Sequence, residues 1–115
     1  MTTREDCLFC GIVDGRVPAD VVHEGERVLA FRDVSPQAPT HVLVVPREHH
    51  ADAPALAAAD PQALAEVVAV AADLAAREAD GDFRLVLNTG TGAGQSVFHV
   101  HAHVLAGRGF GWPPG

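Results

Sequence analysis

Apolar and polar positions alternate most strictly over residues 96–105, where His99, His101 and His103 interleave with Phe98, Val100, Ala102 and Val104. A period of two predicts a half-buried strand. Successive side chains of a strand point to opposite faces, so the three imidazoles are expected on one face and the apolar residues on the other. Residues 21–23 and 28–31 predict a hairpin that turns near Glu24, Gly25 and Glu26. Residues 41–45 form a continuous apolar strand ended by Pro46, and residues 83–88 form another. A short helix is expected through Cys7, Leu8, Phe9, Ile12 and Val13, capped by Asp6, stopped by Gly15 and kept from regrowing by Pro18. A long helix starts at the cap Asp60 with Pro61 in its first position and ends near Gly81. Its apolar stripe reads Leu64, Val67, Val68, Ala71 and Leu74, and its many alanines favour helix and close packing.

These elements suit one domain, with residues 6–105 as its body and 106–115 as a C-terminal tail; a chain of 115 residues holds one modest core. An apolar content of 48% argues against disorder except at the ends. Eight Lys and Arg against 15 Asp and Glu leave a formal charge of −7. That argues against a broad nucleic-acid or membrane surface, which needs basic patches, but leaves room for a small phosphorylated ligand held locally. No apolar run is long enough to span a membrane. The start, Met1 to Asp6, lacks the apolar region of a signal peptide, so a cytoplasmic location is expected.

In that compartment Cys7 and Cys10 read as metal-binding or redox thiols, not a structural disulfide. Spaced i, i+3, they share one side of the short helix. Three readings stay open: a redox pair, although the expected βαβ context is missing; half of a zinc site that needs two more ligands; and thiols that simply pack. Histidine titrates near neutrality, ligates metals and serves as nucleophile or acid–base, so three on one strand face mark a site. His41 stands at the start of its strand, and of His49 and His50 in the following loop one is a candidate ligand. The glycine-rich loop 89–96 leads into the histidines, and its backbone amides suit an anion. It is not a P-loop, because no Gly-Lys-Ser/Thr follows and a strand comes next. Two prolines fix the loop 33–40. Trp112, beside Pro113 and Pro114, reads as an anchor to the body or a contact for a partner.

His99-Val100-His101-Ala102-His103-Val104-Leu105 resembles the histidine-triad (HIT) pattern, His-φ-His-φ-His-φ-φ with φ apolar. The resemblance runs from Asp6 onward through residues 33–41, Asn88, Gly94 to Val97 and the final Trp-Pro-Pro-Gly. It is most similar to the Hint branch of nucleoside phosphoramidases. The resemblance implies an α+β fold, an antiparallel sheet of about five strands with one long and one short helix, and a homodimer. The implied activity is cleavage of the P–N bond of purine nucleoside 5′-phosphoramidates through a nucleotidyl-histidine, releasing AMP or GMP and an amine. Alternatives are hydrolysis of dinucleoside polyphosphates or nucleotidyl sulfates, and a nucleotide-binding regulatory role.

On the same resemblance His101 is the nucleophile, oriented by the backbone carbonyl of His99. His103, His41 and Asn88 surround the phosphate, Ser96 assists the leaving group, and the amides near Gly94, Gln95, Ser96 and Val97 bind phosphate oxygens. Asp33 accepts from the ribose hydroxyls. Leu8, Phe9, Ile12, Phe31 and Val34 line the base pocket, and Trp112 is counted with the substrate-binding residues. No catalytic cofactor is implied. Many bacterial members with Cys-x-x-Cys bind zinc, which implies a structural Zn2+ on Cys7, Cys10, His49 and His99, with His50 as the alternative to His49; Cys2His2 is a closed tetrahedral set.

Overall fold

The computed structural model describes residues 4–115; Met1, Thr2 and Thr3, on which part of the signal-peptide reading rests, lie outside the described residues. The chain runs α1 (Leu8–Val13), β1 (Val21–Glu24), β2 (Val28–Arg32), β3 (Thr40–Pro46), α2 (Ala53–Ala59), α3 (Pro61–Glu78), β4 (Arg84–Val86) and β5 (Ala102–Ala106), with a 3-10 turn at Thr91–Ala93. The five strands form one antiparallel sheet in the order β1-β2-β3-β5-β4.

β3 reads as an unbroken apolar run because it is central and covered on both faces. Val42 and Val44 meet Val28, Ala30, Ala102, Val104 and the α3 residues Val67, Val70, Ala71 and Leu74. Leu43 and Val45 face the other way and join Leu29, Phe31 and Phe9 of α1. The register sets His103 opposite Leu43, so it shares the α1 face of the sheet.

Several expectations shift in detail. The buried face of α3 is Ala63, Val67, Val70, Ala71, Leu74 and Ala75; Val68 is rotated off it and half-exposed. The alanines on that face let the helix lie close to β3. α1 is capped by Cys7, whose Sγ accepts the Cys10 N–H at 3.4 Å, and not by Asp6. Gly15 ends this helix at φ +80°, a conformation open to glycine. α2 is an additional helix, in a stretch for which the sequence pattern predicts no element. Asp52 caps it through the Ala55 N–H, and Leu56 buries against Ala63 and Val100. Its run of alanines offers no polar contrast from which a period can be read.

The largest correction falls on residues 96–105. Only Ala102–Ala106 is strand, and residues 96–101 leave the sheet. The ladder to β3 ends at the Ala102–Val44 pair and that to β4 at His103–Val86. Beyond them no neighbour extends the ladder, and the Val100 N–H turns to the His50 carbonyl at 2.8 Å instead. Phe98, expected on the core face, is accordingly half-exposed. β4 is likewise shorter than the expected 83–88. Among the described residues no single helix is long and apolar enough to cross a membrane.

Candidate active site and metal centre

A cavity of about 820 Å3 opens between α1, the β2 end of the sheet and the glycine loop. Leu8, Phe9, Ile12, Val17, Phe31 and Leu43 make its apolar end, and Asp33, Asn88, Ser96, His101 and His103 bring polar groups to it. Such a mix, a greasy chamber with a few converging polar groups, is that of a small-molecule site. Phe9 meets both Phe31 and His101 edge to face, at centroid distances of 5.5 and 5.0 Å.

Hydrogen-bond partners assign the tautomers of the four buried or half-buried imidazoles at this end of the sheet. His101 Nδ1 donates to the His99 carbonyl at 3.0 Å, so its Nε2 keeps a free lone pair. His41 Nδ1 accepts the Gln37 backbone N–H at 3.0 Å, which puts the His41 proton on Nε2. That Nε2 stands 2.9 Å from His103 Nδ1 and 3.4 Å from Asp33 Oδ2. His103 Nδ1 is then the acceptor, and its own proton sits on Nε2. Burial holds both His41 and His103 below the ordinary histidine pKa, with Asp33 opposing the shift and, at His103, His101 and His41 adding to it. Neutral rings are the outcome at pH 7. One wall of the cavity thus carries a bare nucleophilic nitrogen on His101 and an N–H donor on His103.

The fourth imidazole, His99, is fully buried and turned away. Its Nε2 donates to the Pro46 carbonyl at 2.8 Å, leaving the Nδ1 lone pair aimed at Cys7 and Cys10, both Sγ atoms 3.5 Å away. His49 Nδ1 lies 3.4 Å from Cys10 Sγ, and the four donor atoms all lie within 4.8 Å of one another. Burial pushes the His99 pKa down to about 4, so the ring is neutral and ready to ligate.

The HIT domain family profile matches residues 14–110. This chain belongs to the HIT family. It is 40% identical to the purine nucleoside phosphoramidase of Escherichia coli K12 over 109 residues, 93% of this chain and 92% of that protein. A HIT family hydrolase from Legionella pneumophila superposes with a TM-score of 0.90 at 46% identity, covering 96% of this chain and all of that one. A zinc-bound histidine triad family protein from Mycobacterium smegmatis superposes at 0.77 with 35% identity, over 96% of this chain and 80% of that one. The chain is thus an enzyme of the HIT hydrolase kind, and its α+β sheet is the HIT fold.

The HIT cluster Cys7–Cys10–His49–His99 fits zinc on its own geometry. A tetrahedron with ordinary Zn–S and Zn–N bonds has S···N edges of about 3.6 Å, and the three measured here are 3.4 to 3.5 Å. Both thiols also converge on the single lone pair of His99, as donors to a shared ion do. His50 is not in the cluster: its Nε2 faces Glu48 at 3.9 Å, and His49 is the one of the two that stands with Cys7, Cys10 and His99.

Other residues expected at the HIT site divide by place. Leu8, Phe9, Ile12, Phe31, Asp33, Val34, Asn88, Gly94, Ser96 and Val97 line the cavity with His101 and His103. Gln95 does not; it is buried beneath the loop, where its side chain accepts from Gly90 N and donates to the Ala51 and Val97 carbonyls. Gly94 takes φ +95° to close that loop. Trp112 is 85% exposed and touches no part of the cavity. The tail before it is held by Phe110, flanked by the Arg84 and Arg108 guanidiniums. Val17, Pro18, Ala19, Asp20, Arg32 and Leu43 also line the cavity and were not foreseen. Irregular chain and core-like strand positions carry no local sequence signal for a pocket; only packing brings them there.

Proposed function

We propose that this protein hydrolyses the P–N bond of purine nucleoside 5′-phosphoramidates through a nucleotidyl intermediate on His101. The observation that carries the reading is the His101 tautomer, with Nδ1 committed to the His99 carbonyl and Nε2 bare on a residue that lines the cavity. A neutral imidazole so arranged attacks phosphorus, and a covalent intermediate divides one difficult displacement into two easier ones. The α-phosphate lies over His101, with the His103 Nε2–H and the Asn88 amide stabilising its developing charge. Ser96 donates towards the departing amine nitrogen, and water then releases the nucleoside monophosphate from His101. Asp33, beside the apolar end, accepts from the ribose, and the base sits among Leu8, Phe9, Ile12 and Phe31. The E. coli relative of that name supports the substrate class.

The reading includes a structural zinc on Cys7, Cys10, His49 and His99, which would supply no step of the reaction and would tie α1 to the segment bearing the nucleophile. It also includes a cytoplasmic location and a homodimer, the latter supported by the two sheet edges β1 and β4, which have no further strand beside them among the described residues. Incubating the protein with adenosine 5′-phosphoramidate and, in parallel, with diadenosine tetraphosphate tests the activity. Faster turnover of the phosphoramidate is expected; a preference for the polyphosphate would replace this reading with the polyphosphate hydrolase.

A further inference from the structure

We infer that Cys7 and Cys10 form an oxidation site for hydroperoxides, at which disulfide formation dismantles the metal cluster and releases the segment that orients His101. The inference rests on the zinc reading above.

Three features carry it. The first is access. Cys10 is fully buried, but Cys7 is half-buried and lines a surface hollow of about 340 Å3 with Arg4, Asp6, His49 and Phe98. A small oxidant reaches Cys7 from there without passing through the nucleotide cavity. The second is the pairing. The thiols sit at i and i+3 across the first turn of α1, and the Cys7 Sγ already accepts the Cys10 N–H at 3.4 Å. That spacing suits a disulfide without unfolding the helix. Metal-bound cysteines are held as thiolates, which is the nucleophilic form.

The third is the consequence. Residues 96–101 have no ladder partner, so their position depends on side-chain and loop tethers. One is the Val100 N–H on the His50 carbonyl, another is Gln95 on the Val97 carbonyl, a third is His99 Nε2 on the Pro46 carbonyl, and a fourth is His99 Nδ1 in the cluster. The His99 carbonyl is the group that holds the His101 proton on Nδ1. Phe9, between the two cysteines on α1, packs edge-on against both His99 and His101. Loss of the cluster removes the link between α1 and His99 and leaves each on its own remaining contacts, Phe9 in the sheet core and His99 on the Pro46 carbonyl, and both press directly on the nucleophile.

The chemistry balances with a hydroperoxide as oxidant. The Cys7 thiolate attacks one peroxide oxygen, the O–O bond breaks, and Cys7 becomes a sulfenic acid while the leaving oxygen takes a proton to give water or an alcohol. The Cys10 thiolate attacks the Cys7 sulfur, the S–S bond forms and the S–O bond breaks, and the hydroxide expelled takes a second proton. Two electrons pass from the thiolates to the peroxide. Two of the four donors are then gone, and His49 and His99 alone do not hold the ion.

The test uses the protein as purified without chelator. Its zinc content is measured first, and that measurement decides the zinc reading by itself, before any oxidant is added. Hydrogen peroxide is then titrated in, with a chromogenic chelator reporting free zinc, intact mass after alkylation reporting the thiols, and phosphoramidate turnover followed in the same samples. Zinc release in step with a Cys7–Cys10 disulfide, and turnover lowered about tenfold or more, are expected, all reversed by dithiothreitol plus zinc. Zinc-loaded protein that keeps its metal and two alkylatable thiols under peroxide would overturn the inference. So would zinc release through sulfinic or sulfonic acid with no disulfide. Zinc lost through the disulfide while turnover stays unchanged would overturn the coupling to His101.

Discussion

His41 Nε2 lies 2.9 Å from His103 Nδ1, and the Gln37 backbone N–H on the far side of the His41 ring decides which of the two carries the shared proton. A main-chain amide in the proline-braced loop thereby sets, through one buried ring, that His103 faces the cavity with an N–H donor. His41 itself does not line the cavity. In the proposed mechanism it is a positioning residue that works through His103.

His41→Asn separates these roles. The Asn Oδ1 can still accept the Gln37 N–H, while the donor to His103 disappears. Turnover should fall about tenfold, mainly in kcat, since a hydrogen bond worth roughly 1 to 3 kcal/mol is removed behind a transition-state contact. Steady-state kinetics check this, and a change confined to KM would contradict it.

Replacing the proposed nucleophile has a larger effect. His101→Ala should lower kcat by at least about 1,000-fold while nucleoside monophosphate still binds. Calorimetric titration with AMP beside the kinetic assay reads both. Retained turnover would remove His101 from the mechanism.

Gln95 supports the glycine-rich loop from beneath. Gln95→Ala orphans the Gly90 N–H and the Ala51 and Val97 carbonyls at once. A loss of about 1 to 3 kcal/mol in stability is expected, with a raised KM as the loop loosens. Urea unfolding and kinetics measure the two effects.

Cys7→Ser should abolish zinc binding and lower Tm by at least about 5 °C, because a metal held only by the folded chain adds its binding energy to folding. Turnover should stay measurable at low temperature. Metal analysis and thermal melts provide the check.

The buried imidazoles predict a pH dependence of stability. His41 and His103 hold their protons less tightly in the folded chain than in the unfolded one. Below about pH 6.5 the unfolded chain takes up protons that the folded chain refuses. Their contribution is therefore complete above that pH and is lost as the pH falls towards the folded values. Tm should be level between about pH 8 and 7 and decline below about 6.5. Acid also strips thiolate-bound zinc, so the decline is compared with that of His41→Asn, which should be shallower.

Much of the architecture is local information. The apolar run of β3, the hairpin at Gly25, the Asp60-Pro61 start of α3 and the Cys-x-x-Cys spacing are each written in a few consecutive residues, and the structure keeps all of them. The period of two through the three histidines is equally local, yet it misreads the strand. Alternation records which way side chains point, whereas a strand also needs a neighbour to bond, and the ladders to β3 and β4 stop at Ala102 and His103, before His101 is reached. The sequence by itself therefore determined the fold class, through the family resemblance, and named many of the residues that line the cavity, but not Val17, Pro18, Ala19, Asp20, Arg32 or Leu43. Which nitrogen of each ring is free, that Gln95 braces the loop from below, and that His99 turns from the cavity to the thiols were decided only in the tertiary structure. His99, Gln95 and His103 depend on partners distant in the chain, Pro46, Ala51 and His41, while the partners of His101 and His41, the His99 carbonyl and the Gln37 amide, are near in sequence but are set in place by the fold. Proton positions and ligand sets follow from such contacts, and the pattern along the chain does not encode the distances between them.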